Sequence, residues 1–249
     1  MNRKQNIRAS FSHLAEQKAL LIALSDDLSL PLLQIKTSLE LLENQHYSPK
    51  MVAAQAKVMA LSVDTGLQLA EAYRLVLQSD KLHELPLEPV AIGSILDDIA
   101  HELSGYALEY GTQLQVDVQG RLTPVLAHKP SLQAALQCLS ASLIRAQAAQ
   151  TQSGKHLIIL GAHRSEGSVV AAGVFTNIQG LSDSTLRAAR ALVGHARQPL
   201  PSLPAGAASG VLIADMLCSA MWQPLRAAAH RNMSGLAVSV PSSKQLQFV

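Results

Sequence analysis

The sequence predicts an α+β protein in two parts, a helical hairpin followed by an α/β sandwich. Three observations predict it. Apolar residues recur at spacings of three and four along residues 14–77. A proline-bearing linker, SDKLHELPLEP from Ser79 to Pro89, then interrupts the pattern. Beyond it, strand-like alternation and helix-like stripes exchange places along the remaining chain. The expected domains are therefore 1–80 and 87–243.

The first helix carries a heptad of Leu14, Leu21, Leu28, Ile35 and Leu42, with Lys18, Ser25, Leu32 and Leu39 between them. The seam so defined strengthens towards its C-terminal half. NQHYSPK, from Asn44 to Lys50, reads as a turn in which Ser48 caps the next helix and Pro49 suits its first turn. The second helix repeats the spacing through Val52, Ala56, Met59, Val63, Gly66, Ala70, Tyr73 and Leu77. Two antiparallel helices of this kind leave apolar surface over. Either a second copy covers it, as a four-helix bundle about a twofold axis, or the C-terminal domain does. Pro31 is out of place inside the first helix, where it removes a backbone donor at a cost of about 3 kcal/mol.

In the second part, Pro89–Ile92 starts a strand and Gly93–Tyr110 reads as a helix, with Ile95, Leu96, Ile99, Leu103 and Leu108 towards the core. Gly111 is a plausible stop before the alternating strand Gln113–Val118. A short strand, Pro124–Ala127, precedes a helix over Lys129–Gln147 with Leu132, Leu136, Leu139 and Leu143 at helical spacing. Strands Leu157–His163 and Val169–Phe175 are joined by RSEGS, a hairpin turn. A helical stretch at Ser184–Val193, a proline- and glycine-rich loop, a helix at Val211–Met221 and strands Leu225–His230 and Leu236–Val240 complete an α/β sandwich with helices on one face of a mixed sheet.

The 249 residues suffice for two small cores, and 48% hydrophobic against 3% aromatic content means those cores are built from Leu, Ala, Val and Ile. A net charge of +2 supplies no general field for nucleic acid or an anionic membrane. Cys138 and Cys218 lie in apolar surroundings without metal spacing and read as reduced core residues. No apolar run approaches the roughly 18 residues that span a bilayer. The basic N-terminus is followed by no signal-peptide core, so the expected location is cytoplasmic. The nine histidines form no HxxxH pair, and no metal is expected.

The order around Pro31, ALSDDLSLPLLQIK, resembles the phosphoacceptor segment of sensor histidine kinases, Ser-His-(Asp/Glu)-Leu-Arg-Thr-Pro-Leu. The order of elements after the linker resembles the ATP-binding domain shared by histidine kinases, gyrase and the heat-shock chaperone ATPases. The resemblance covers about residues 10–243 and implies a hairpin that dimerises. It also shows what has changed. Asp26 stands at the histidine position, and a carboxylate is a weaker nucleophile that a triphosphate repels. Asp27 matches the acid that serves the family as base, and Leu30 replaces the residue that positions water. His13, about 20 Å up the helix by its rise, is the nearest histidine in sequence.

The nucleotide segments are altered as well. In LQAALQCLSASL, Cys138 and Ser142 stand at the two asparagine positions, the second of which is the family's magnesium ligand. In TNIQGL, Thr176 replaces the adenine-binding aspartate and Ile178 the first glycine, leaving Gly180. In GAASGV, Gly206 and Gly210 match the phosphate loop and Ala208 does not. The resemblance therefore implies a pseudokinase: a dimeric scaffold or regulator in two-component signalling. It would present Asp26, Asp27 and Leu30 to a response-regulator receiver domain or a cognate kinase. No cofactor is expected, and Gly180, Gly206 and Gly210 would be vestiges of a nucleotide site. The alternative is a divergent kinase or phosphotransferase that retains Mg-ATP. A third reading is a more apolar pocket that takes another small ligand.

Overall fold

The computed structural model describes residues 25, 28–29, 31–43, 48–78, 86–148, 156–192 and 207–243. The chain divides into two compact units, Met1–Leu77 and Gln78–Val249.

In the first unit, helix α1 covers residues 31–43, with Ser25, Leu28 and Ser29 also helical. Pro31 is buried within this helical run. Just before it, the Ser29 hydroxyl donates to the Ser25 carbonyl at 2.7 Å, the side-chain-to-backbone contact that accompanies helix bending. Helix α2, Pro49–Gln78, starts where expected, with the amides of Met51 and Val52 donating to the Ser48 carbonyl at 2.9 and 3.1 Å.

The inward faces differ from the expected seams on both helices, and on α2 Val52, Ala56, Val63 and Ala70 of the expected stripe are exposed. Leu28, Ile35 and Leu42 turn inward, as the heptad requires, but Leu32 and Leu39 do not. The positions that close the seam are Pro31 and Ser38 on α1, and Ser62 and Leu69 on α2. Small side chains let the helices approach. The Ser62 hydroxyl donates across to Gln34 Oε1 at 3.0 Å, and a Cβ on Gly66 would already touch Leu28 Cδ2 at 3.7 Å.

The second unit contains β1 (Glu88–Val90), α3 (Ile92–Glu109), β2 (Thr112–Val118), β3 (Val125–Ala127), α4 (Lys129–Ala148), β4 (His156–Arg164), β5 (Val169–Thr176), α5 (Asp183–Leu192), α6 (Ala208–Ala220), β6 (Arg226–His230) and β7 (Met233–Pro241). Strands β1 and β3 pair as a small antiparallel ribbon. The main sheet has the order β2-β4-β5-β7-β6, with β2 and β4 parallel and every other pair antiparallel.

Local chemistry explains the boundaries. Gly111 adopts φ +63° directly after α3, and Gly167 adopts φ +71° in the β4–β5 turn, both costly for a side chain. Ser182 and Thr185 form a reciprocal cap on α5: each backbone amide reaches the other's hydroxyl, at 3.0 and 3.2 Å.

Period-two alternation assigns the sheet residues to two faces. Ile158, Leu160, Ala162, Val170, Ala172, Val174, Leu236 and Val238 form a sealed layer together with the apolar stripes of α3, α4 and α6. Ile159, Phe175, Met233 and Ala237 form a second, smaller cluster on the opposite parity, covered in part by Leu157 and Ala228. Strand β7 begins three residues earlier than alternation alone suggested, because Met233 pairs with His230 across a tight turn. Helix α6 likewise begins three residues early and takes Gly210 into its first turn.

Candidate functional site

Two segments meet, the middle of α4 and the start of α6, and a third, the chain leaving β5, carries Thr176, Ile178 and Gly180. On α4, the side chains of Cys138 and Ser142 are both buried, and Ser142 is 0% exposed. Its hydroxyl donates to the Leu139 carbonyl of the same helix at 2.8 Å. Ser140 does the same to Leu136 at 2.6 Å. Burial pushes the Cys138 thiol up to about 12, with Arg145 opposing weakly, so the group is a neutral core residue and not a nucleophile.

Gly210 lies directly against this helix. A Cβ there would stand 2.6 Å from Ser142 Oγ and 2.7 Å from the Cys138 carbonyl oxygen. The two helices therefore meet almost backbone to backbone, which a glycine alone permits. At the end of β5, Thr176 is buried, and the Ile178 amide approaches its hydroxyl at 3.4 Å. Ile178 itself is buried. Gly180 is exposed at φ +91°, and its carbonyl accepts from the Thr185 hydroxyl at 2.8 Å, which fixes it as a turn into α5.

Helix α5 is held down by charge. Arg190 donates twice to Asp215 of α6, Nε to Oδ2 and Nη2 to Oδ1, each at 2.7 Å. The same Nη2 reaches the Leu225 carbonyl at 2.7 Å, and the Leu225 amide donates to Asp215 Oδ1 at 3.0 Å. The hydrogen bond to Asp215, with its charge, raises Arg190 further above its ordinary value against the pull of burial. At the helix start, Asp183 Oδ1 accepts from the Ala227 amide at 2.8 Å. Sequence reading missed this latch. Its signal was present in a single charged residue, Asp215, inside the otherwise uncharged α6.

The remaining sequence candidates fall outside the described residues. They are His13, Asp26, Asp27, Leu30 and Gly206. Among the described residues, no group of three or more His, Cys, Asp or Glu side chains gathers as metal ligands. No helix among them is long and apolar enough to cross a membrane.

Comparison with solved structures places this architecture. The histidine kinase ThkA, in complex with the response regulator protein TrrA, superposes with a TM-score of 0.56 at 11% identity, over 96% of this chain and 65% of that one. This chain has the fold of the histidine kinases. Full-length ShkA in complex with AMPPNP gives a TM-score of 0.52 at 19% identity, over 91% of this chain and 46% of that one. The histidine kinase AdeS of Acinetobacter baumannii gives 0.50 at 10% identity, over 88% and 98%. The chain thus spans about half the length of ShkA and two thirds that of ThkA. No protein-family model and no curated protein matches it. The likeness is one of histidine-kinase fold, with mixed sheet and helices arranged as in the kinase catalytic domains.

Proposed function

We propose that this histidine-kinase-like chain is catalytically inactive and acts in the cytoplasm as a dimeric scaffold or regulator of two-component signalling. The observation that carries the reading is the contact of Gly210 with Ser142 and Cys138. In the resemblance, these three positions belong to the phosphate loop and the asparagine helix. Here the residues do not fit a magnesium nucleotide. The Ser142 hydroxyl is spent on its own helix, the Cys138 thiol is neutral, and there is no room for an added methyl group between α4 and α6. Thr176 offers a buried hydroxyl in place of a carboxylate, and Ile178 is buried as well. With Asp26 at the acceptor position, neither half of a phosphotransfer reaction has its reacting group.

What supports pairing of two copies is the bare stripe on the hairpin. Leu32, Leu39, Val52, Val63 and Leu67 are all exposed although they follow helical spacing. Apolar residues in such a row are stable when another helix pair covers them. Asp26, Asp27 and Leu30 would face a receiver domain or a cognate kinase. The ThkA complex with a response regulator supports that choice of partner.

The test combines calorimetric titration of Mg-ATP with incorporation from γ-labelled ATP, run beside a sizing measurement. The expected outcome is no heat of binding, no label, and a mass of two chains. Label on the protein overturns the inactivity. A saturable heat of binding favours the alternative, a divergent kinase retaining Mg-ATP. A single-chain mass removes the dimer.

A further inference from the structure

The second face of the sheet carries a run of ionisable groups that the proposed signalling role does not use. Strands β2 and β6 are the two edges of the five-stranded sheet, with three strands between them. Yet His230 Nε2, at the end of β6, lies 2.7 Å from Asp117 Oδ2 on β2. The other nitrogen of that ring, Nδ1, lies 3.1 Å from Nδ1 of His163 on β4. Arg231, in the β6–β7 turn at φ +52°, places Nε 2.6 Å from Oδ2 and Nη2 2.7 Å from Oδ1 of the same carboxylate.

The ring of His230 is buried and stacks on Phe175 with centroids 4.9 Å apart. Gly161 makes room for both rings, since a Cβ there would lie 2.8 Å from Phe175 Cε2 and 2.9 Å from His230 Cδ2. The sheet is therefore curled enough for its edges to meet through side chains.

Counting protons defines what this cluster can do. A carboxylate accepts only, so His230 presents Nε2–H to Asp117. The contact between the two Nδ1 atoms then holds a single proton, given by one ring and accepted by the other. The two rings share two protons when neutral and three when the pair is singly charged. A fourth sets N–H against N–H and two cations side by side.

We propose that Asp117, His230 and His163 form a proton-sensitive latch. Its Nδ1–Nδ1 contact ties the end of β6 to β4 and breaks when both imidazoles are protonated, whereas the pairing of Arg231 with Asp117 remains. The charged and titratable groups facing it are Asp117 from β2, His163 from β4, and His230 and Arg231 from β6 and its turn, with Arg226 exposed at the other end of β6. Strands β5 and β7 contribute Ala171, Gly173 and Phe175, and Met233, Gly235, Ala237 and Ser239, none of which titrates.

Burial, and then the nearby His230, hold His163 below the ordinary imidazole value. Burial opposes ionisation of Asp117, but the hydrogen bonds and charges of His230 and Arg231 outweigh it and keep the carboxyl below its usual range. In an unfolded chain an imidazole titrates near about 6.5. Above that pH, His163 is neutral in both states and contributes nothing. As the pH falls through it, the unfolded chain takes up a proton that the latch refuses, and stability is lost.

The experiment uses the full chain. Ring resonances of His163 and His230 are followed by NMR from pH 8 to 5. Amide exchange, corrected for its intrinsic pH dependence, is compared between residues 226–235 and α4. Wild type should lose about tenfold in protection of 226–235 relative to α4 for each unit by which the His163 titration is depressed. The variant His163→Asn should show no such step, because the side chain facing His230 then takes up no proton. The proposal is overturned if both rings titrate independently near the free-imidazole value, or if His163→Asn keeps the wild-type step. Should the variant not fold, the ring titration of wild type decides alone.

Discussion

In the helical hairpin, Leu32, Leu39 and Leu67 leave 61%, 47% and 64% of their surface in solvent, whereas Leu96, Leu132 and Leu136 of the α/β unit are wholly sealed. The hairpin closes its own seam with Pro31, Ser38 and Ser62, small or polar groups, beside one leucine, Leu69. The α/β unit closes its seam between α4 and α6 by removing a side chain altogether, at Gly210. The first arrangement leaves apolar surface for a neighbour. The second leaves no space for one. The contrast is between an exposed apolar stripe on the hairpin and a tight helix contact at Gly210 in the α/β unit.

The largest test of the contrast concerns the hairpin. Burying a leucine contributes about 1.5–3 kcal/mol, and a twofold axis doubles each change, so Leu32→Lys with Leu39→Lys should weaken pairing by roughly 6 kcal/mol or more. That is about four decades in the dimer dissociation constant, read by analytical ultracentrifugation. An unchanged mass would mean that the stripe is not the covered face.

The next effect lies in the α/β unit. Asp215→Ala leaves the Arg190 guanidinium and the Leu225 amide without their shared acceptor. The expected loss is about 3 kcal/mol in urea unfolding, at the low end for a buried pair because Arg190 keeps 36% of its side chain in solvent. Gly210→Ala comes third and has a decisive sign. Helix propensity favours alanine by about 1 kcal/mol, while overpacking against Ser142 costs about 1–3 kcal/mol. Net destabilisation confirms a filled seam. Net stabilisation would reveal an open one.

The smallest effect is at alkaline pH. Burial raises the Cys138 thiol from 9.0 to about 12, and raises Cys218 in the same direction. Between those values the unfolded chain releases a proton that the folded one keeps, so stability falls as pH rises. The expected loss is on the order of 1 kcal/mol per thiol at pH 10, against pH 8. Neither thiol should react with a thiol reagent at pH 8 until the protein unfolds.

Much of the fold was legible. Leu28, Ile35 and Leu42 announced a seam by spacing, and Ile95, Leu96, Ile99, Leu132, Leu136 and Leu139 announced the faces of α3 and α4, whereas Leu108, read towards the core, is exposed near the end of α3. Gly111 and the RSEGS turn marked boundaries through backbone positions that few side chains tolerate. The heptad could not say which stripe meets which neighbour, and so Leu32 and Leu39 were read inward. The site was less legible. The departures of Cys138, Ser142, Thr176 and Ile178 from the resembled segments could be read by position, but not the way α6 presses on α4, since a glycine in a proline-rich setting reads first as loop.

The sequence alone determined periodicity, stops and the identity of each polar group, because those are local properties of neighbouring residues. Only the tertiary structure decided that Asp215 meets Arg190, that Gly210 meets Ser142, and that Asp117 meets a histidine 113 positions away. Such contacts depend on how far a sheet curls and how closely two helices approach. Those distances are set by the packing of the whole core and are written in no single stretch of chain.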